Sequence, residues 1–267
     1  MSKVEESSRF RVLMAGDISG SAGRLAFARV VARLREQRRA DFVVANAENA
    51  AGGRGITAEI AAELFKAGAD VLTLGDHVWD QKGTEALLAA EPRLVRPANL
   101  PPGSPGRGWS TVTSSWGPVT VISLVGRTFM NPNDCPFRTA DAILERRAEL
   151  GRVILVDMHA EATSEKIVMG RYLDGRVTAV AGTHTHVQTS DETIWPGGTA
   201  YITDLGMTGA RDSALGRDLA QVTRMFLTGR HTGFEVAKGD PVMEGLLIEV
   251  DYRDGRAKGV ERIRERL

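Results

Sequence analysis

Residues 11–49 read RVLMAGDISGSAGRLAFARVVARLREQRRADFVVANAEN, and their alternation decides the fold. Arg11–Gly16 is an apolar run of strand length, Leu25–Gln37 carries apolar residues at helical spacing, and Phe42–Asn46 is a second apolar run. Further on, Ala58–Ala67 repeats the helical pattern and Val71–Gly75 the strand pattern. Thr57 before that helix and Gly68 after it supply its start and stop signals. Strand, helix, strand, helix, strand in close succession predicts a parallel sheet with helices packed on it.

The second half departs from that rhythm. Pro97–Pro105 (PANLPPGSP) predicts an extended surface connection, and WSTVTSS and PVTVISLV, flanking Trp116-Gly117, predict a hairpin. A helix is expected over Ala140–Leu150 and strands over Val153–Met158, Val177–Gly182 and Thr199–Thr203. Leu219–Leu227 reads as a last helix, and Gly245–Tyr252 with Gly259–Ile263 as a hairpin turned at Asp254-Gly255. Nothing repeats and no segment has low complexity. The expected architecture is one α/β domain over residues 1–267, two mixed β-sheets packed together with helices on the outer faces.

Composition narrows the partners. Among 267 residues, 34 Lys and Arg balance 34 Asp and Glu, so net charge gives no reason to expect nucleic acid or a membrane surface, and an anionic substrate must be attracted locally. No apolar run approaches the roughly 18 residues of a spanning helix, and the N-terminal MSKVEESSRF has no signal-peptide character. With one cysteine, Cys135, no internal disulfide framework exists, and a cytoplasmic location is expected.

Five apolar runs end abruptly in metal-ligand residue types: VLMAGD at Asp17, FVVANAEN at Glu48 and Asn49, VLTLGDH at Asp76 and His77, VILVDMH at His159, and VTAVAGTHTH at His184 and His186. Functional groups gather at the carboxyl ends of parallel strands, so five such ends can converge on one crevice. Taken singly, each residue has a plainer reading: Asp17 as a helix cap, Glu48-Asn49 or Asp76 as a turn, His159 as a satisfied interior histidine. The spacing of His184 and His186 would project both the same way if the strand continued through them. Jointly, carboxylates, an amide and imidazoles are the donors that Mn, Fe or Zn require. The glycines of AAGGRGIT and Arg54 either approach an anionic substrate or form a plain loop, and Arg127 in GRTF is a weaker phosphate candidate. Neither a Walker loop nor the dinucleotide fingerprint is present. His231, in the polar run TGRHTG, reads as a surface residue.

The chain resembles the calcineurin-like metallophosphoesterases and, within them, the bacterial YmdB-like family over nearly its whole length. GDISGSAGR, ANAENAAGGRGIT, GDHVWD, LVRPANLPPGSPGRG, GRTFMNP, HAEATSEK, GTHTHVQT and YITDLGMTG carry the resemblance. It implies two transition-metal ions, divalent or of mixed valence, iron or manganese with zinc as an alternative. Asp17, Glu48, Asn49 and His186 would ligate one, and Glu48, Asp76, His159 and His184 the other, with Glu48 bridging. His77 would be the proton donor to the leaving group. Where the wider superfamily places a histidine two residues after the first aspartate this chain has Ser19, and Asn49 supplies the compensating ligand of the narrower family. Asp76 stands where the family pattern calls for Asn, which adds a negative charge to the ligand set.

The implied activity is hydrolysis of phosphodiesters, with 2′,3′- or 3′,5′-cyclic nucleotides as substrates, through attack by a metal-bridging hydroxide with histidine as general acid. Two alternatives stand beside it: a phosphomonoesterase on the same site, and a regulatory metal-binding protein that acts through partner binding. A homo-oligomer of unspecified order is also expected.

Overall fold

The structure is a computed structural model that describes residues 9–230 and 233–267, so His231 lies outside the described residues. The first sheet opens with β1 (Arg9–Ala15), β2 (Asp17–Ile18), β3 (Phe42–Asn46), β4 (Val71–Thr73) and β5 (Leu94–Val95). The chain then builds a second sheet from β6 (Trp109–Ser114), β7 (Gly117–Val125), β8 (Val153–His159), β9 (Ala179–Thr183), β10 (Thr193–Ile194) and β11 (Ala200–Ile202). It returns to the first with β12 (Met207–Ala210), β13 (Pro241–Asp251) and β14 (Arg256–Arg266).

Both sheets are mixed, as the sequence predicts. The first runs β2-β12-β13-β1-β3-β4-β5, with β14 also paired to β13, and β1, β3, β4 and β5 are mutually parallel. The second runs β10-β11-β9-β8-β7-β6, with β7, β8, β9 and β11 parallel.

Alternation along the strands explains the layering. In β1, Phe10, Val12 and Met14 face the second sheet and meet Val121, Leu155 and Ala181 in the central core. Leu13 and Ala15 face outward onto Ala26, Phe27, Val30 and Leu34 of α1 (Gly20–Glu36) and Leu64 of α2 (Ala58–Lys66). α3 (Thr84–Ala90) adds Leu88 to this layer. On the far side, Ile122, Ile154, Val156 and Met158 pack against Ile143 of α4 (Pro136–Leu144) and Met169 of α5 (Thr163–Tyr172). Because helices cover both outer faces, these strands are apolar throughout rather than alternating. Phe10, Trp116 and Tyr252 close one end of the sandwich with ring centroids 5.7–6.4 Å apart.

The expected start of α2 holds, since the Thr57 hydroxyl accepts from Ile60 N–H at 3.3 Å. The helix expected over Ala140–Leu150 begins earlier and ends earlier. Pro136 sits in its first turn, where its missing N–H costs nothing, and the charged run after Leu144 gives way to a short 3₁₀ turn at Arg147–Glu149. α3 and α5 are additional to the predicted helices, and α6 (Leu219–Thr228) matches expectation. Among the described residues no helix is long and apolar enough to cross a membrane.

Candidate metal centre

The strand ends converge. Glu48, Asp76, His159 and His184 each place one ligand atom within 4.8 Å of the others. His159 Nε2 lies 3.2 Å from Glu48 Oε1, 3.0 Å from Asp76 Oδ1 and 3.0 Å from His184 Nδ1. Asp17, Asn49 and His186 sit alongside. Asn49 Nδ2 is 3.1 Å from Glu48 Oε1 and 3.2 Å from His186 Nε2, which is 3.7 Å from Asp17 Oδ1. The structure thus brings together all seven residues expected from the sequence, three carboxylates, one amide and three imidazoles. Gly75 makes room for them, because a Cβ there would run into Glu48 Oε2 and His159 Nε2.

One sequence expectation fails in its mechanism. β9 ends at Thr183, and His184 and His186 adopt left-handed backbone with φ of 92° and 61°, so strand alternation does not aim them. A non-glycine residue at positive φ is strained and persists only where its surroundings hold it. The hold comes from Thr185 between them. The buried Asp204 carboxylate accepts from Thr185 N–H at 3.2 Å and from its hydroxyl at 2.5 Å, and the buried Lys166 ammonium donates to Asp204 Oδ2 at 2.7 Å and to Thr185 Oγ1 at 3.1 Å. Asp17 Oδ2 takes the His184 N–H at 3.2 Å.

A second support orients His159. Thr183 Oγ1 donates to Asp157 Oδ1 at 2.6 Å, so it accepts from His159 Nδ1–H at 2.9 Å, and the ring is held with Nε2 as the atom aimed at the cluster. Asn46 and Thr73 donate to the other Asp157 oxygen at 3.0 and 2.5 Å. His186 is fixed in the same sense, with Nδ1–H donating to Leu215 O at 3.1 Å. Sequence reading missed Asp157, Thr183, Lys166 and Asp204. For Asp157 and Thr183 a polar residue in an otherwise apolar strand was the available signal, whereas Lys166, among the polar residues of α5, and Asp204, in the loop after β11, carried none.

A family model described as "YmdB-like protein" matches residues 13–263. The chain belongs to the YmdB-like family. A 2′,3′-cyclic-nucleotide 2′-phosphodiesterase of Bacillus subtilis (strain 168) is 45% identical over 253 residues, covering 95% of this chain and 96% of that one. Two solved structures superpose closely on this YmdB-like chain. A hypothetical protein from Thermus thermophilus has a TM-score of 0.90 at 40% identity, covering 96% of this chain and 99% of its own. A novel phosphatase from Mycoplasma pneumoniae has a TM-score of 0.91 at 34% identity, covering 97% and 94%. The two-sheet fold is therefore that of a metallophosphoesterase.

Electrostatics in this YmdB-like site follow from packing opposite charges in a dry place. Burial pushes Asp17 up, but the adjacent His186 imidazole and its charge, with that of His159, outweigh it and hold the carboxyl down at about 2. Asp76 is driven far below the usual range for the same reason, with His159 and His184 overcoming its burial. His159 is raised despite burial by the charge of Glu48 and the hydrogen bond to Asp76. Asp157 is pushed up to about 6 by burial, which outweighs the opposing charge of His159 and the hydroxyls of Thr183 and Thr73. His77 stands at the rim. Its N–H donates to Glu48 Oε2 at 3.2 Å and its Nδ1 lies 3.1 Å from Asp80 Oδ2. Asp17 does not cap α1, whose cap position is Ser19, so its carboxylate stays with the site. Arg127 is exposed, and its N–H donates to Glu165 at 3.1 Å.

Proposed function

We propose that the chain is a dinuclear metal-dependent phosphodiesterase acting on cyclic nucleotides, the 2′,3′-cyclic class before the 3′,5′-cyclic. The observation that carries this reading is the convergence of Glu48, Asp76, His159 and His184 from strands of both sheets, in a chain 45% identical to a 2′,3′-cyclic-nucleotide 2′-phosphodiesterase. The residues fit metal ions. Asp17 Oδ1 is buried without a hydrogen-bond partner, and the donor set is the nitrogen and oxygen mixture suited to iron or manganese, with zinc an alternative. Asp17, Glu48, Asn49 and His186 would hold one ion, and Glu48, Asp76, His159 and His184 the other. Bound there, such ions supply Lewis acidity toward the phosphoryl group and acidify water.

The protein's own groups do the rest. Thr183 and Leu215 hold the His159 and His186 rings with their Nε2 atoms facing inward. Asp80 accepts from His77 Nδ1–H and fixes that ring, so that the imidazolium form passes its Nε2 proton to the departing ribose oxygen and is left neutral, a contribution of typically about a hundred- to ten-thousand-fold. We further place the protein in the cytoplasm, which suits its one unpaired Cys135. Self-association is supported by Phe226 and Leu227 on α6, each 80% exposed.

The test is hydrolysis of bis(p-nitrophenyl) phosphate and 2′,3′-cyclic AMP by metal-stripped protein reloaded with Mn²⁺, with p-nitrophenyl phosphate in parallel. Metal-restored turnover of the diesters supports the reading. Turnover favouring the monoester transfers the site to a phosphomonoesterase, the reading that the Mycoplasma phosphatase favours.

A further inference from the structure

Arg217 lies half-buried in the segment that follows His186's carbonyl partner, Leu215, and no ion pair with a carboxylate holds it among the described residues. Its Nη2 donates to Gly53 O at 2.7 Å. Gly53 has a φ of 84°, and a Cβ at that position would stand 2.5 Å from Arg217 Nη1, so the AAGGRG loop is shaped to admit the guanidinium. The next residue, Arg54, is 63% exposed and reaches Asp80 Oδ2 only at 3.9 Å. Burial and the neighbouring Arg54 charge both push the Arg217 guanidinium down. Two neighbouring guanidinium groups thus share one loose carboxylate contact, Arg54 to Asp80, an arrangement that an added anion would relieve.

Both arginines are tied to the candidate metal centre. Gly53 N–H donates to Asn49 O at 3.1 Å, Leu215 O receives the His186 Nδ1–H at 3.1 Å, and Asp80 connects Arg54 to His77. An anion bound by the pair would sit beside a phosphate at the metal ligands, and a ribonucleotide places its successive phosphates one sugar apart.

We propose that Arg54 and Arg217 form a subsite for a second phosphate of the substrate. The substrate class becomes a ribonucleotide whose 2′,3′-cyclic phosphate reacts while the phosphate on its 5′ oxygen is held by the two arginines, which rests on the cyclic-nucleotide reading above. That second phosphate belongs either to a 5′-phosphorylated mononucleotide or to the preceding linkage of a short RNA 3′ end. Such a subsite supplies the local attraction for anions that a net charge of zero does not.

The experiment compares kcat/KM for adenosine 2′,3′-cyclic phosphate, its 5′-phosphorylated form, and a diribonucleotide ending in a 2′,3′-cyclic phosphate, all with Mn²⁺-loaded protein. Calorimetry gives Kd in parallel for adenosine 3′-phosphate and adenosine 3′,5′-bisphosphate. The wild type is expected to favour a doubly phosphorylated substrate, and to bind the bisphosphate more tightly, by about tenfold or more. Arg217→Gln and the surface variant Arg54→Gln should each reduce that preference to about threefold or less. A preference confined to the mononucleotide or to the dinucleotide identifies the source of the second phosphate. Equal kcat/KM and equal Kd in the wild type, or a preference that survives both variants, overturns the subsite. Failure to hydrolyse any of the three, with bisphosphate binding still dependent on Arg217, removes the cyclic-nucleotide reading and leaves the subsite standing; without that dependence both fall.

Discussion

Lys166 Nζ lies 2.7 Å from Asp204 Oδ2, with both side chains closed off from solvent, and the pair grips Thr185 between the two strained histidines. Lys166→Met leaves the Asp204 charge buried and unpaired, which costs about 3–5 kcal/mol. The double variant Lys166→Met/Asp204→Asn should recover part of that stability, measured by urea denaturation, yet bind metal more weakly because His184 and His186 lose their anchor. Wild-type metal affinity in the double variant would show that the ion pair has no hold on the loop.

Thr183→Val removes the hydroxyl between His159 Nδ1 and Asp157. Loss of such an outer partner lowers metal affinity by about 10–100-fold. Calorimetric titration of stripped protein with Mn²⁺ should show this loss with the fold intact, and Thr183→Ser should restore it. A valine variant that binds as the wild type does would mean that the ring needs no relay.

Asp76 Oδ1 stands 3.0 Å from His159 Nε2 and 3.4 Å from His184 Nδ1. An anionic ligand there tightens metal binding but offsets the positive charge that attracts phosphate and acidifies water. Asp76→Asn is expected to require more Mn²⁺ for half-maximal activity and to turn over bis(p-nitrophenyl) phosphate faster once saturated. Weaker metal binding with no gain at saturation would count against this account.

At the β13–β14 turn, Arg253 donates to the two Asp251 oxygens at 3.0 and 2.6 Å and holds that carboxyl down at about 2. A depressed carboxylate stabilises the fold fully above its unfolded value, near 4, and the contribution fades as pH falls toward 2. The thermal midpoint of Asp251→Asn should therefore fall below the wild type at neutral pH, and the gap should close on acidification. A gap that widens in acid would refute the assignment.

Legibility in the sequence tracked burial. β3, β8 and β1 from Val12 onward are covered on both faces, so their runs are predominantly apolar and easily read. α5 buries Lys166 and Gly170 beside Met169, a mixture with no apolar stripe, and β2, β5 and β10, two residues each, are too short for any period to register. The ligand types stood out because each interrupts an apolar run at its end. Their supports did not, because Asn46 and Asp157, 111 residues apart, become partners only when the two sheets meet.

That meeting has a consequence for assembly. Asp17, Glu48, Asn49 and Asp76 follow strands of one sheet, while His159, His184 and His186 belong to strands of the other or follow them. A half-built molecule with one sheet formed owns the acids or the imidazoles but not both. On the proposed metal site, metal capture would act as a checkpoint on completed folding and a bound metal as a rivet across the seam, so that chelation should loosen the sandwich at that mouth first while the Phe10, Trp116 and Tyr252 end stays shut.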